Sequence, residues 1–493
     1  PFDSERVLHP LVNRRQTATE LGMYVQDSFK VNARLTLDYG IRWDYFPAAR
    51  YDDGLMYNWD KTTGAVVVPP DALDAVSVLY PDTIEVRGGD VIAKPDTGNL
   101  RPRASLAYRL NERTVIRGGY GAFTERLDDF VGAQGGGPFE SGESYQNIVQ
   151  PGERPLFAFP TPFPGLAFAS GPSQDVSSYP LQIENGTIHQ FNVSVERELM
   201  PRVGLRLSYI GSRGVGLNYL LNINKPEPGT TPFTTDRRPW PQFVDVNETR
   251  SDGSARYDAV QAQVQKRAGA FTFNAHYTWA RDEADYLNDE NPYDVTGHWF
   301  NASDTRRHYA MVNTNWELPF GRDRRFLPDA PPLVDQLVGG WTVSTVSYFG
   351  SGTFFTPAFS GADPSNTGTS GGVPDRIGAG NLPGDQRDPT RWFNPGDFAV
   401  PPEGRFGNAG VNILEADGLH VHHVSLSKES RLAGGTSLTF TVTASNIFDQ
   451  VHFGNPEDDI STATAGTISE VMSDFQAERG GRRMVTLKGI FRF

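Results

Sequence analysis

The stretch Leu35–Tyr45 reads LTLDYGIRWDY, and it restricts the fold more than any other part of the chain. Leu35, Leu37, Tyr39, Ile41, Trp43 and Tyr45 are apolar or aromatic, while Thr36, Asp38, Gly40, Arg42 and Asp44 between them are polar or glycine. Side chains on a strand alternate faces, so this is one strand with a greasy side and a charged side. About eleven residues is also the length a tilted strand needs to cross a bilayer core. A soluble sheet buries the greasy side and wets the other. A membrane barrel turns the greasy side to lipid and the polar side to its lumen.

The same alternation recurs along the chain. Strands are expected over residues 19–31, 35–45, 104–110, 114–123, 187–199, 203–211, 257–267, 271–279, 307–318, 341–349, 420–432, 437–448 and 483–493, about thirteen in all. Short turns are expected at Asn32 and Ala33, at 111–113, at 200–202, at Ala268 and Gly269, and at Gly434 and Gly435, with a longer exception at 319–340. Long polar, Gly- and Pro-rich stretches separate these hairpins, among them 47–100, 124–186 and the segment from 212 to about Ser254. Connections therefore alternate short and long, with no convincing helix between them. Outer-membrane barrels have that asymmetry, with short turns at the periplasmic end and long loops outside. Sandwiches and propellers have no reason to place every long loop at one end. Trp43, Tyr45, Phe46, Tyr277, Trp279, Trp316, Trp341, Phe448, Phe491 and Phe493 fall near strand ends, where interfacial girdles lie. The expected fold class is all-β, a transmembrane antiparallel β-barrel.

Composition closes off other classes. The net charge of −14 argues against a general nucleic-acid binder. No run approaches the roughly 18 apolar residues of a membrane helix, and the mean hydropathy of −0.44 does not exclude a barrel, which hides its apolar residues by alternation. The absence of cysteine removes disulfides, thiol catalysis and Cys-ligated zinc. The opening PFDSERVLHP has neither the basic nor the apolar region of a signal peptide, so processing or a longer parent chain is expected.

Three segments carry a family likeness: MYVQDSFKVNARLTLDYGIRWDY, then RPRASLAYRL with TVIRGGYGAF, then TASNIFDQVHFGNP over residues 443–456. With the terminal GIFRF ending on Phe493, their order and spacing resemble TonB-dependent outer-membrane receptors, in particular the large-loop, Oar-like branch. The resemblance implies a barrel of about 22 strands around an N-terminal plug. It also implies capture of a scarce solute, peptide or oligosaccharide at external loops, and uptake driven by the TonB complex acting on the plug. The implied setting is the outer membrane of a Gram-negative-type bacterium, with lipid or lipopolysaccharide around it, no nucleic acid, no cofactor and no covalent chemistry. Residues 1–493 would then be the C-terminal portion of the barrel, with the plug and about nine strands outside this sequence. An odd strand count points the same way, because it cannot close with every neighbour antiparallel. An open sheet leaves two unpaired edges, at several kcal/mol per lipid-facing group. A surface-assembly barrel without active uptake is the alternative, and a secreted multi-domain β-protein is a third.

Several motifs invite chemistry. Gly368, Ser370 and Gly372 spell G-x-S-x-G, but in a low-complexity loop rather than at a strand–helix elbow. Ser425 and Lys428 spell S-x-x-K on an alternating strand, hence on opposite faces. His420 and His422 share a face and His423 does not, a weak metal set and more plainly a rim or lumen polar cluster. Asp282, Glu283, Asp285, Asp289, Glu290 and Asp294 crowd one external loop. Of these, Asp282, Asp285, Asp289 and Asp294 are candidate calcium ligands, although the spacing is not that of an EF-hand and a solvated acidic loop is the plainer reading. Arg42, Arg109, Arg117, Arg206 and Lys488 fall on the lumen face, to pair with a plug, line a path or simply be solvated.

Overall fold

In the computed structural model, residues 4–8, 14–78, 80–127, 137–139, 141–145, 175–431, 435–471 and 481–493 are described. Residues 1–3, 9 and 10 of the opening segment, most of the 124–186 connection and Gly434 of the last hairpin turn lie outside them.

Thirteen strands form one antiparallel path in strict chain order. They are β1 (Leu21–Lys30), β2 (Leu35–Tyr45), β3 (Leu100–Asn111), β4 (Thr114–Glu125), β5 (Gly186–Met200), β6 (Val203–Asn222), β7 (Val246–Lys266), β8 (Phe271–Ala284), β9 (His308–Glu317), β10 (Trp341–Gly350), β11 (Leu419–Arg431), β12 (Ser437–Ser445) and β13 (Met484–Arg492). The path is open: β1 and β13 each have one neighbour in it among the described residues. Two short strands, Val176–Ser178 and Phe300–Asn301, attach beside β7 and β8.

Local chemistry sets the tight turns. The Asn32 side chain accepts hydrogen bonds from the Arg34 and Leu35 N–H groups at 2.8 and 3.0 Å, closing the β1–β2 turn. Asn111 does the same for Arg113 at 3.0 Å. Gly269 at φ 104° supplies the left-handed residue that the β8 entry needs. The longer 319–340 connection holds one short helix, α1 (Pro332–Val338), where none was expected.

Cross-strand register sorts the side chains into two continuous faces. Leu37, Leu106, Gly118, Val193, Tyr209, Val260, Trp279 and His308 lie in one row, each opposite the next. Lower down, Phe271, Trp316, Val343, Leu426, Val442 and Leu487 form another. This apolar face is open: Val193, Leu207, Val260 and Leu487 are 48–66 % exposed. Buried apolar residues lie mainly elsewhere, in the long connections. Trp59, 1 % exposed, packs with Leu55, Tyr57, Val66, Val68 and Phe243, edge-on to Trp240 at 4.6 Å between centroids. A second cluster joins Phe355, Val373, Phe393, Phe398 and Leu414 within the 351–418 connection. A water-soluble sheet is built the other way round, with its greasy face inside.

Several boundaries differ from the sequence expectation: β3 starts at Leu100, β12 ends at Ser445, and β8 runs on to Ala284, so Asp282 and Glu283 stand on a paired strand where loop was expected. β6 runs on to Asn222 and β7 starts at Val246, where polar loop was expected, and the two stay paired to Asn222 and Asn247. Val215, Leu217, Tyr219 and Leu221 carry the alternation of β6 on past Gly211, whereas the β7 stretch from Val246 to Arg256 has ladder hydrogen bonds and no apolar stripe. The long connections are also not mere polar spacers: residues 46–99 contain a three-stranded sheet over Asn58–Asp60, Ala65–Val68 and Val86–Gly88.

Candidate functional site

The polar face falls into two halves. Across β2–β6 it carries Asp38, Arg42, Asp44, Arg101, Arg103, Arg109, Arg117, Glu196 and Arg206. Arg42 pairs with Asp44 at 2.7 Å, and Arg117 and Arg206 both approach Glu196 at 3.5 Å. Lys488 stands on the same face of β13, opposite Thr441. All five cations expected on the polar face are there.

Across β7–β12 the same face holds no Lys, Arg, Asp or Glu between Asp282 near the loop end and Glu317 and Glu429 near the turn end. Its residues are two histidines, His276 and His423, with amides, hydroxyls and apolar or aromatic groups, such as Gln261, Gln263, Thr278, Asn274, Asn313, Ser344 and Ser425. They bond one another across strands: Gln263 donates to Asn274 at 2.7 Å, Ser344 donates to Asn315 at 2.7 Å, and Ser425 and Thr443 lie 2.8 Å apart.

At the loop end of this half lies a cavity of about 830 Å³. Tyr257, Gln261, Thr278 and Tyr309 form its wall, and Ser303, Asp304, Thr305, Arg306, Phe354 and Asn455 come from the connections above. Alternation pointed Gln261 and Thr278 to the polar side, but nothing local in the sequence brings residues 303–305 and 455 over them. A second cavity, about 590 Å³, lies among the connections themselves and is lined by Asn288, Glu290, Asn291, Trp299, Arg405 and Asn408, among others. Arg256 covers one side of the Trp299 ring, 4.2 Å from its centroid.

The acidic segment is dispersed by the fold. Asp282 accepts from the Thr305 hydroxyl at 2.8 Å, and Glu283 is held by Arg256 at 2.6 Å and Arg281 at 2.8 Å. Buried Asp285 accepts from the backbone N–H of Ser254 at 2.7 Å and, more distantly, of Gly297 at 3.3 Å. Asp289 is exposed and adds to the negative charge around Lys225, whose ammonium donates to the Glu290 carbonyl at 2.9 Å. Asp294 pairs with His298 at 3.0 Å. Among the described residues no three His, Asp or Glu side chains converge as a metal cluster. Burial raises the Glu290 carboxyl above the ordinary carboxylate range, and its Oε1 accepts from the Val373 N–H at 2.7 Å. Burial likewise lowers the Lys225 ammonium.

The remaining motifs separate in the same way. Ser370 has no strand before it and no helix after it. Ser425 is on the polar face, whereas Lys428 is on the apolar one, opposite Trp341 and bonded to the Gly339 carbonyl. His423 faces the polar side beside Tyr348, its ring 6.0 Å away. His420 and His422 lie on the apolar side, where the Phe349 ring packs edge-on to both. The rim reading of these two therefore holds and the lumen reading does not.

They join a belt at the loop end of the apolar face. In it Tyr120 meets His189 at 2.8 Å, Tyr277 meets His308 at 2.7 Å, and Arg213 and Tyr209 clasp Asp258. At the other end lie Phe271, Trp316, Trp341 and Phe491. An apolar band bounded by two such belts is the signature of a sheet in a membrane.

A family profile described as outer membrane beta barrel domain matches residues 3–484. The chain belongs to that family. It is an outer-membrane protein whose apolar face meets lipid and whose polar face lines the lumen. Similar solved structures include the FrpB iron transporter from Neisseria meningitidis (F5-1 variant), at 10 % identity and TM-score 0.44. They also include the ferric-catecholate import receptor Fiu from K12 E. coli, at 10 % and 0.45, and P. aeruginosa FpvA bound to a heterologous pyoverdine, at 10 % and 0.44. Each match covers 97 % of this chain, which spans 46 %, 45 % and 38 % of those proteins respectively. No curated protein matches in sequence.

Proposed function

We propose that this chain is the C-terminal part of the barrel of a TonB-dependent transporter of the Oar-like branch. It takes up a scarce solute captured at its outer loops. The observation that carries the reading is the open thirteen-strand path with its apolar face outward. Edge strands of ten and nine residues leave about five residues each with unpaired backbone. At several kcal/mol per group in lipid, that exceeds the ~5–15 kcal/mol of a typical fold. On this reading a further piece closes the ring, and the motif resemblance implies that it is about nine strands and a plug. The charged half of the lumen, β2–β6, is the surface we assign to the plug, because its arginines need counter-charges that the wall only partly supplies.

The test is cross-linking in intact cells followed by purification from outer membranes. TonB is expected in the cross-linked product, and the native mass is expected to exceed the 54.3 kDa of this chain. A folded, inserted species of this chain alone, or a permanent surface partner with no TonB, would overturn the proposal. The second result would favour a surface-assembly barrel.

A further inference from the structure

We infer that the β9–β10 connection is an interfacial anchor: α1 and the Phe320 and Phe326 rings lie in the periplasmic leaflet of the membrane that the sheet crosses, and phospholipid is their partner. The inference rests on the lipid-facing sheet and not on transport.

Links such as 111–113 and 200–202 at that end of the sheet are tight turns, whereas residues 319–340 fold into a small body of their own. Its helix is oriented inside out. Leu333 and Leu337 are four residues apart and share one face, with Val334 beside them. At 3.6 residues per turn Asp335 falls on the opposite face. That polar face is the one turned to the protein, where the Asp335 carboxylate accepts from the Arg322 backbone N–H at 2.5 Å. Leu333 and Leu337 are left 81 % and 73 % exposed, and no side chain of the helix is buried. A helix on a water-facing surface packs its apolar stripe inward instead.

What covers the leucines follows from what they adjoin. Trp341, on the lipid face of β10, donates its indole N–H to the Leu337 carbonyl at 2.8 Å, and Lys428, on the lipid face of β11, bonds the Gly339 carbonyl. The end of the helix is thereby fastened to the aromatic belt at the turn end. From the other side the chain enters by Trp316, on the lipid face of β9. Phe320 and Phe326 then stack with centroids 5.4 Å apart, both exposed, as is Leu327. The lipid-facing band thus continues into the connection, and an exposed apolar patch of this kind marks a contact surface. Arg322, Arg324 and Arg325 are balanced by Asp323, Asp329 and Asp335, so apolar area rather than net charge drives the contact. Interfacial helices sit about 5–10 Å into the boundary between headgroups and acyl chains.

The test is fluorescence quenching of the full-length protein in nanodiscs of phosphatidylethanolamine and phosphatidylglycerol, which leave both membrane faces open to solvent. Since the protein has no cysteine, Leu333→Cys and Leu337→Cys can each carry a single NBD label, with Glu112→Cys in the tight β3–β4 turn as the aqueous control. A phospholipid with a doxyl group near the head of its acyl chain is expected to quench the labels at 333 and 337 at least threefold more than the label at 112. Iodide in the buffer should rank them the other way. With the label at 333, Leu337→Asp should cut the lipid quenching at least threefold while heat-modifiable gel mobility stays native. Iodide quenching at 333 and 337 equal to that at 112 would put the helix in water and overturn the inference. Shielding from both quenchers, the mark of a second copy or another protein on the leucines, would overturn it too. So would lipid quenching unchanged by Leu337→Asp, because the label and not the helix would then be seeking lipid.

Discussion

Val260 and Gln261 are adjacent on β7 and point to opposite sides, so arginine at each position reads the two environments separately. Val260 lies six residues from the turn end of β7 at Lys266. At ~3.4 Å per residue that is ~20 Å along the strand, and with a tilt of ~40° it is ~16 Å above the turn. The apolar band is ~25 Å tall, so Val260 lies on the loop side of its middle, just inside the belt that holds Tyr209, Asp258 and His308. It is 48 % exposed and flanked by Tyr209 and Trp279. Arginine on the lipid face costs ~2–4 kcal/mol at the midplane and ~0–1 near the interfaces, so ~1–3 kcal/mol is expected here, about 5- to 160-fold in the folding equilibrium. Gln261→Arg places the same charge in a hydrated lumen and should cost less than ~0.5 kcal/mol. Urea titration of the protein in outer-membrane vesicles, scored by heat-modifiable gel mobility, measures both. Equal stability of the two variants, or greater loss from Gln261→Arg, would refute the assignment of faces.

Other predictions concern the connections and turns. Trp59→Ala should open the 46–99 connection, at a cost of about 3–5 kcal/mol to that local core. New protease cuts are expected there while barrel mobility is retained. Asn32→Ala removes two turn hydrogen bonds and should lower barrel stability by about 1 kcal/mol, measured in the same urea titration. Burial raises the Glu290 pKa, so ionising that carboxyl on going up in pH opposes the packed loop. The penalty is absent below the ordinary value of 4.5 and complete above the raised one. Loop protection from hydrogen exchange should therefore fall as pH rises through that window, and Glu290→Gln should flatten the dependence.

The membrane part of the fold was readable because lipid imposes a period of two on every strand that crosses it. β2 begins and ends where its pattern says, and the Ser425–Lys428 separation follows from the same rule. Beyond the membrane the rule lapses. Ser212 to Asn222 and Val246 to Arg256 remain paired strand. The second has no greasy stripe, and in the first Val215, Leu217, Tyr219 and Leu221 keep the alternation, with Tyr219 and Leu221 buried against Val295 of a connection. The Trp59 core was invisible for a related reason: its members come from residues 55–84, 139, 176, 243 and 246, which only tertiary packing unites. His420 and His422 shared a face as expected, but which side that face meets depends on the register through β9 and β10. The cavity at the loop end was half legible. Its wall follows from alternation, whereas Ser303, Thr305 and Asn455 above it do not.

The absence of cysteine allows the most direct test. Single cysteines placed in turn at 258–265 of β7 can carry a nitroxide, with oxygen and a water-soluble nickel complex as relaxers in outer-membrane vesicles. Oxygen accessibility is expected to peak at Val260, Ala262 and Val264, and nickel accessibility at Gln261, Gln263 and Gln265. A scan without alternation, or one in which the valines meet water, would contradict a lipid-facing sheet.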